Sequence, residues 1–221
     1  MTTKNKSLPE RRSMPVCELR TETVGDTDSR SITGYAAVFN QETDIGGMFR
    51  EVIRPGAFSR AIEEDQDVRA LWNHNPDVIL GRTVADTLSL NEDERGLEIT
   101  IDPPDTQAGR DMVESISRGD VTTMSFAFAA RSETWTEEEG KLPLRELNDV
   151  DLYDISPVTY PAYQGTSVGL RSAEDTYQQH LDSLPKDRAD EDTDADGSQE
   201  RDLKRRRLEL AETELDERTE K

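Results

Sequence analysis

The sequence predicts a mainly β fold with flanking helices, an α+β domain, followed by a disordered acidic C-terminal tail. Three features carry that expectation. Between residues 16 and 171 the apolar residues fall in short runs with a two-residue period, separated by Gly, Pro and acidic turns, the pattern of half-buried strands. In that region only Ala57–Glu64 and Gly109–Arg118 show helical spacing. From Arg171 onward apolar residues thin out and acids dominate, so too little surface can be buried to offset the ordering entropy.

Residues 1–15 read as a flexible leader, polar and mixed in charge. Val16, Glu18 and Arg20 open an alternating pattern that resumes in Ser31–Asn40, punctuated by Gly34, Gly46 and Gly47. Phe49–Ile53 is a further short strand, and Arg54-Pro55-Gly56 leads into the first helix, where Phe58 and Ile62 lie four apart on one face. Val68–Trp72 is a compact apolar strand that stops at the turn-forming cluster Asn73-His74-Asn75-Pro76. Ile79–Arg82, Thr87–Asn91 and Leu97–Ile101 repeat the strand pattern until Pro103-Pro104 breaks it. In the second helix Met112, Val113 and Ile116 form the apolar stripe, with Asp111 and Arg118 placed as the macrodipole prefers, and Gly119-Asp120 ends it.

Val121–Ala130 is a strand with two unlike faces: Met124, Phe126 and Phe128 on one, Thr123, Ser125 and Ala127 on the other. The bulky face belongs in a core, and the small face leaves room above Ser125. Trp135–Gly140 reads as an acidic hairpin-like turn and Leu152–Tyr160 as a late strand ending at Pro161. The domain therefore spans residues 16–171, and residues 172–221 form the acidic disordered tail. Within that tail residues 203–217 could make a short helix, with Leu203, Leu208, Leu210 and Leu215 among Arg and Glu.

Composition narrows the function. The 48 Asp and Glu against 27 Lys and Arg leave a formal charge of −21, which excludes a broad basic face for nucleic acid. Lysine is scarce beside arginine, and so acidic a surface fits either a solvated tail or a high-salt environment. The single cysteine, Cys17, excludes an intrachain disulfide, and no metal centre or cofactor is implied. No apolar run is long enough to span a bilayer and residues 1–15 lack the apolar core of a signal peptide, so no membrane role is expected. The partners expected are proteins.

Any histidine-dependent chemistry falls to His74, because the second histidine, His180, lies in the polar tail where nothing would fix its orientation. A loop residue at a strand end is a sensible place for a general base, although a polar turn residue would look the same. Ser125 is a strand-borne hydroxyl between large core residues, a rigid setting that suits a nucleophile and equally suits a structural serine. Cys17 is a rival nucleophile by chemistry, without a neighbouring basic group to favour its thiolate. Among carboxylates Asp154 interrupts the apolar strand and so needs a donor, whereas Asp149 and Asp151 could be solvated.

Six segments, Gly34–Asn40, Glu51–Phe58, Trp72–Asn75, Ile79–Arg82, Met124–Phe126 and Ile155–Tyr163, stand in an order and spacing that resembles the prohead serine proteases of tailed phages, over residues 16–171. That family is related in fold to the herpesvirus assemblins, so the resemblance implies an orthogonally packed, assemblin-like β-barrel. It also implies a serine endopeptidase that cleaves the major capsid protein precursor, its delta segment or a scaffold, and often itself, inside the procapsid in the host cytoplasm. The portal and further copies of the chain are partners compatible with that setting. The family's catalytic residues map onto His74, Ser125 and, where the family usually has Glu, Asp154, whose side chain is one methylene shorter. A non-catalytic assembly protein that binds capsid subunits through the β domain is the alternative from another class.

Overall fold

The computed structural model describes residues 9–14, 18–23, 30–160 and 167–184. Along the chain run β1 (Glu10–Met14), β2 (Arg20–Thr23), β3 (Arg30–Val38), β4 (Thr43–Ile45), β5 (Phe49–Ile53), α1 (Ser59–Glu63), β6 (Arg69–Trp72) and β7 (Asn75–Arg82). These are followed by β8 (Leu88–Glu92), β9 (Gly96–Ile101), α2 (Gln107–Arg118), β10 (Thr123–Thr136), β11 (Leu144–Val158) and α3 (Ser167–Ser183). Strands therefore dominate, as the two-residue apolar period dictates.

The strands pair as two sheets. The smaller has the order β2-β3-β9-β8; the larger runs β1-β10-β11-β5-β4, with β6 paired to both β11 and β7. The long antiparallel ribbon of β10 and β11 is its backbone, from Thr123↔Val158 to Thr136↔Leu144. On its other side β11 pairs in parallel with β5 through Leu144–Leu147 and with β6 through Asp154 and Ile155. The ends of β10, β11 and β6 thus lie side by side.

The core forms where β10 presents Met124, Phe126 and Phe128, all fully buried, to Phe58, Ile32, Leu97, Ile99, Ile101 and the Met112/Ile116 stripe of α2. Phe126 meets Phe58 edge to face with ring centroids 5.8 Å apart. Each such side chain contributes about 1.5–3 kcal/mol on burial, which pins the face of β10 opposite Ser125. The ends of α2 follow local chemistry: the Thr106 hydroxyl accepts the Gly109 amide at 3.2 Å, and Gly119 takes the left-handed conformation, φ 80°, that closes the helix.

The structure departs from the sequence reading in four places. Residues 10–14, expected in a flexible leader, form β1 and pair with β10, because Glu10 and Arg12 find buried opposite charges. The boundary at residue 171 falls inside α3, whose Ala173 and Tyr177, four residues apart, pack on Ile45, Met48, Phe49 and Trp135 as a second small core. β11 begins at Leu144 rather than Leu152. The barrel expectation holds only in its coarser form, since the pairings among the described residues make two open sheets rather than a closed circuit. Cys17 and the helix expected at residues 203–217 lie outside the described residues. Among those described, no helix is long and apolar enough to cross a membrane.

Candidate active site

Ser125 sits on β10 opposite Ser156 of β11 on one side and Ser13 of β1 on the other. Side chains alternate along a strand, so Ser156 and Asp154, two residues apart on β11, share the face of Ser125. Asp154 has β10 and β6 as neighbours, facing Ala127 and Arg69. It is therefore held mid-sheet by backbone bonds on both sides.

His74 comes from the tight turn between β6 and β7. Trp72 pairs with Asn75, leaving Asn73 and His74 as a two-residue loop with φ of 54° and 56°. Positive φ at both central residues is the habit of a type I′ hairpin turn, whose twist matches that of the flanking strands. Holding a non-glycine residue there costs on the order of 1–3 kcal/mol, and the end of β11 supplies the restraint. The Asn73 amide donates to the Pro157 carbonyl at 3.0 Å, the His74 amide to Ser156 Oγ at 3.2 Å, and the Thr159 amide to Asn73 Oδ1 at 2.9 Å.

The three expected residues meet. His74 Nε2 lies 2.7 Å from Ser125 Oγ and His74 Nδ1 lies 2.5 Å from Asp154 Oδ1. The shorter acid thus reaches the imidazole, because β11 brings its backbone close. A proton on Nδ1, donated to Asp154, leaves Nε2 as the acceptor for the serine hydroxyl, which is the tautomer a general base requires. Ser156 Oγ donates to Asp154 Oδ1 at 2.8 Å, so the carboxylate oxygen accepts two bonds and is fixed in direction. The side chains of His74 and Asp154 are 9% and 13% exposed, and Ser125 is fully buried. A cavity of about 200 Å³ beside them is lined by Ser13, Asn73, His74, Ser125, Val158 and Tyr160. Chemically the arrangement is a hydroxyl whose proton has a ready acceptor, backed by a charge that would stabilise the imidazolium.

The sequence profile of caudovirus prohead serine proteases matches residues 17–180, most of the chain. The chain belongs to that family. The prohead proteases are capsid-maturation enzymes, so the fold described above is that of a protease acting in capsid assembly. Among solved structures, the bacteriophage T4 capsid assembly protease gp21 is similar at a TM-score of 0.39 and 9% identity, with 67% of this chain and 98% of that chain covered. No curated protein matches the chain.

In this prohead protease the rival residues are engaged elsewhere. Asp149 and Asp151 both receive Arg60, at 2.9 Å each, and Asp151 also receives Arg131 at 2.5 Å. His180 is not loose in a tail: its ring stacks on Trp135 with centroids 4.1 Å apart and planes 8° apart. It belongs to the second small core, away from the residues that line the cavity. Ser156 and Asn73 were not singled out by sequence, although Ser156 stands two residues from Asp154 in a strand and so must share its face. No group of three or more His, Cys, Asp or Glu side chains among the described residues is arranged to hold a metal ion.

Proposed function

We propose that this prohead protease is a serine endopeptidase in which Ser125 is the nucleophile, His74 the general base and Asp154 the residue that orients the imidazole and stabilises its charged form. The hydrogen-bonded relay from Ser125 Oγ through His74 to Asp154 carries the reading. As Oγ attacks a peptide carbonyl carbon, Nε2 takes its proton, and the imidazolium is stabilised by the carboxylate on Nδ1. Collapse of the tetrahedral adduct expels the amine, which receives the proton back from Nε2. Water then repeats the sequence on the acyl-enzyme, with His74 again as base, and frees Ser125.

The substrate in this reading is the major capsid protein precursor, its delta segment or a scaffold, and the chain itself is a further target. The reaction takes place inside the procapsid, in the host cytoplasm, where the portal and further copies of this chain are neighbours. Co-expression of the capsid precursor with wild-type and Ser125→Ala chains tests the assignment. Processing is expected with the first and absent with the second, while the variant keeps its fold because it loses one oxygen. Processing retained by Ser125→Ala would refute the nucleophile.

A further inference from the structure

Ser125 lies on a strand with two neighbours, and only one of them could make way for a substrate. β11 pairs with β10 along its length and carries Asp154, so it must stay. On the other side stands β1, the edge strand of its sheet among the described residues, paired with β10 from Glu10↔Phe128 to Met14↔Met124. A peptide carbonyl must come within about 3–3.5 Å of Oγ to be attacked. With β1 in place Ser125 is fully buried, and the 200 Å³ cavity, walled on one side by Ser13, is smaller than the ~300 Å³ lower bound for enclosing an ordinary small ligand. The hydroxyl is then approached through that cavity, beside Ser13.

The attachment of β1 is of a kind that permits exchange. Alternation sends Glu10 and Arg12 to one face and Arg11 and Ser13 to the other, the side of the nucleophile. The first face is anchored by charge. Arg145 Nη1 donates to Glu10 at 2.7 Å and to Glu51 at 2.8 Å, its Nη2 reaches Glu133 at 2.5 Å, and Arg12 Nε donates to Glu51 at 2.5 Å. Glu10, Arg11, Arg12 and Ser13 bring no apolar side chain to the core. Withdrawing β1 removes one anion and one cation from the cluster, Glu10 and Arg12. Arg145 keeps both Glu51 and Glu133, so each buried charge that remains still has a partner of opposite sign, and the orphaned charge that would make departure costly does not arise. The backbone bonds of β1 to β10 would be replaced by those of an incoming strand, the usual way an extended peptide adds to a sheet edge.

We infer that the edge of β10 now covered by β1 is the docking surface for an extended segment of the polypeptide substrate, and that Glu10–Met14 is a resident strand which the substrate displaces. The inference rests on the reading of Ser125 as nucleophile. Its test is a full-length chain carrying Cys17→Ser, Arg11→Cys and Ala127→Cys, the last two being register partners on β1 and β10. A disulfide between them, verified by mass, holds β1 in place. Reduced protein should label at Ser125 with a small fluorophosphonate and cleave the capsid precursor; oxidised protein should lose cleavage and recover it on reduction. Equal cleavage in both forms, with labelling intact, overturns the docking surface and leaves the nucleophile standing. Absence of both labelling and cleavage in the reduced form overturns the nucleophile and the docking surface together. A second chain, Glu10→Ala with Arg12→Ala, covers the case in which the lock does not form. If access depends on a minor β1-open state of order 0.1–10%, loosening the strand should speed fluorophosphonate labelling by about tenfold. An unchanged or slower rate overturns the inference.

Discussion

Ser156→Ala separates positioning of the imidazole from simple packing. The hydroxyl is fully buried, donates to Asp154 Oδ1 at 2.8 Å and accepts the His74 amide at 3.2 Å. Its removal deletes a bond to a charged group, worth about 1.5–3 kcal/mol, and leaves the part-buried His74 amide without that partner. The expected loss of folding stability is about 2–4 kcal/mol. Part of that loss falls on the turn, because the His74 amide bond helps hold two residues at φ of 54° and 56°. If about 1.4–2.8 kcal/mol of imidazole placement is lost, kcat falls about 10- to 100-fold. KM should stay within about twofold, since Ser156 is not among the residues lining the cavity. Steady-state cleavage of a capsid-precursor peptide, with urea unfolding in parallel, reads both quantities. A variant that loses the stability but keeps kcat within about threefold of wild type would show that Ser156 is structural only.

Asp154→Asn should cost far more, about 10⁴-fold in kcat, because the amide donates to Nδ1, forces the proton onto Nε2 and so removes the acceptor for Ser125. A loss under about tenfold in kcat at neutral pH would remove Asp154 from the relay. Burial alone would raise the Glu10 carboxyl, but Arg12 and Arg145 overcome it and hold the group at about 2, below its ordinary 4.5. Its folded value is the lower one, so this stabilisation is present above pH 4.5 and is lost as pH falls toward 2. Glu10→Gln should flatten the acid limb of urea unfolding measured over that window, and an unchanged limb would place the acid sensitivity elsewhere. Burial lowers the His180 imidazole against the opposing pull of Glu137 and Glu133. The neutral ring is then the one that docks, and stability of the α3 contact is expected to fall as pH drops through the ordinary histidine value near 6.5. Fluorescence of Trp135, on which the ring stacks, should change over that range in wild type and not in His180→Phe.

What could be read in the sequence was what depends on neighbours in the chain. The two faces of β10 follow from alternation alone, and the Asn73-His74 turn from residues that tolerate positive φ. What could not be read depends on partners far away. β1 looks like a polar leader because its burial is justified only by Glu51, 39 residues from Arg12, and Arg145, 135 residues from Glu10. The first half of β11 carries Arg145, Glu146, Asp149 and Asp151, a density of charge that hides a strand until Arg60, Arg131 and Glu133 are seen beside it. The docking of α3 likewise needs Trp135 and Phe49, which nothing near residue 177 announces.

The position of Asp154 shows how closely the site depends on register. Between residues 152 and 154 of β11 the pairing shifts: Leu152 faces Phe128 and Asp154 faces Ala127, so Tyr153 is an extra residue, a β-bulge. Before the bulge the even-numbered Val150 and Leu152 point into the core; after it the odd-numbered Ile155 does, fully buried, while Tyr153 is 37% exposed. The switch of parity turns Asp154 and Ser156 out of the core and onto the face of Ser125. Without it, an even-numbered Asp154 would follow Leu152 into the hydrophobic interior, where an unpaired carboxylate is costly. The spacing of three between Leu152 and Ile155, which breaks the two-residue period, is the trace this bulge leaves in the sequence. The geometry of the relay is therefore set as much by one irregular residue in a strand as by the three side chains that compose it.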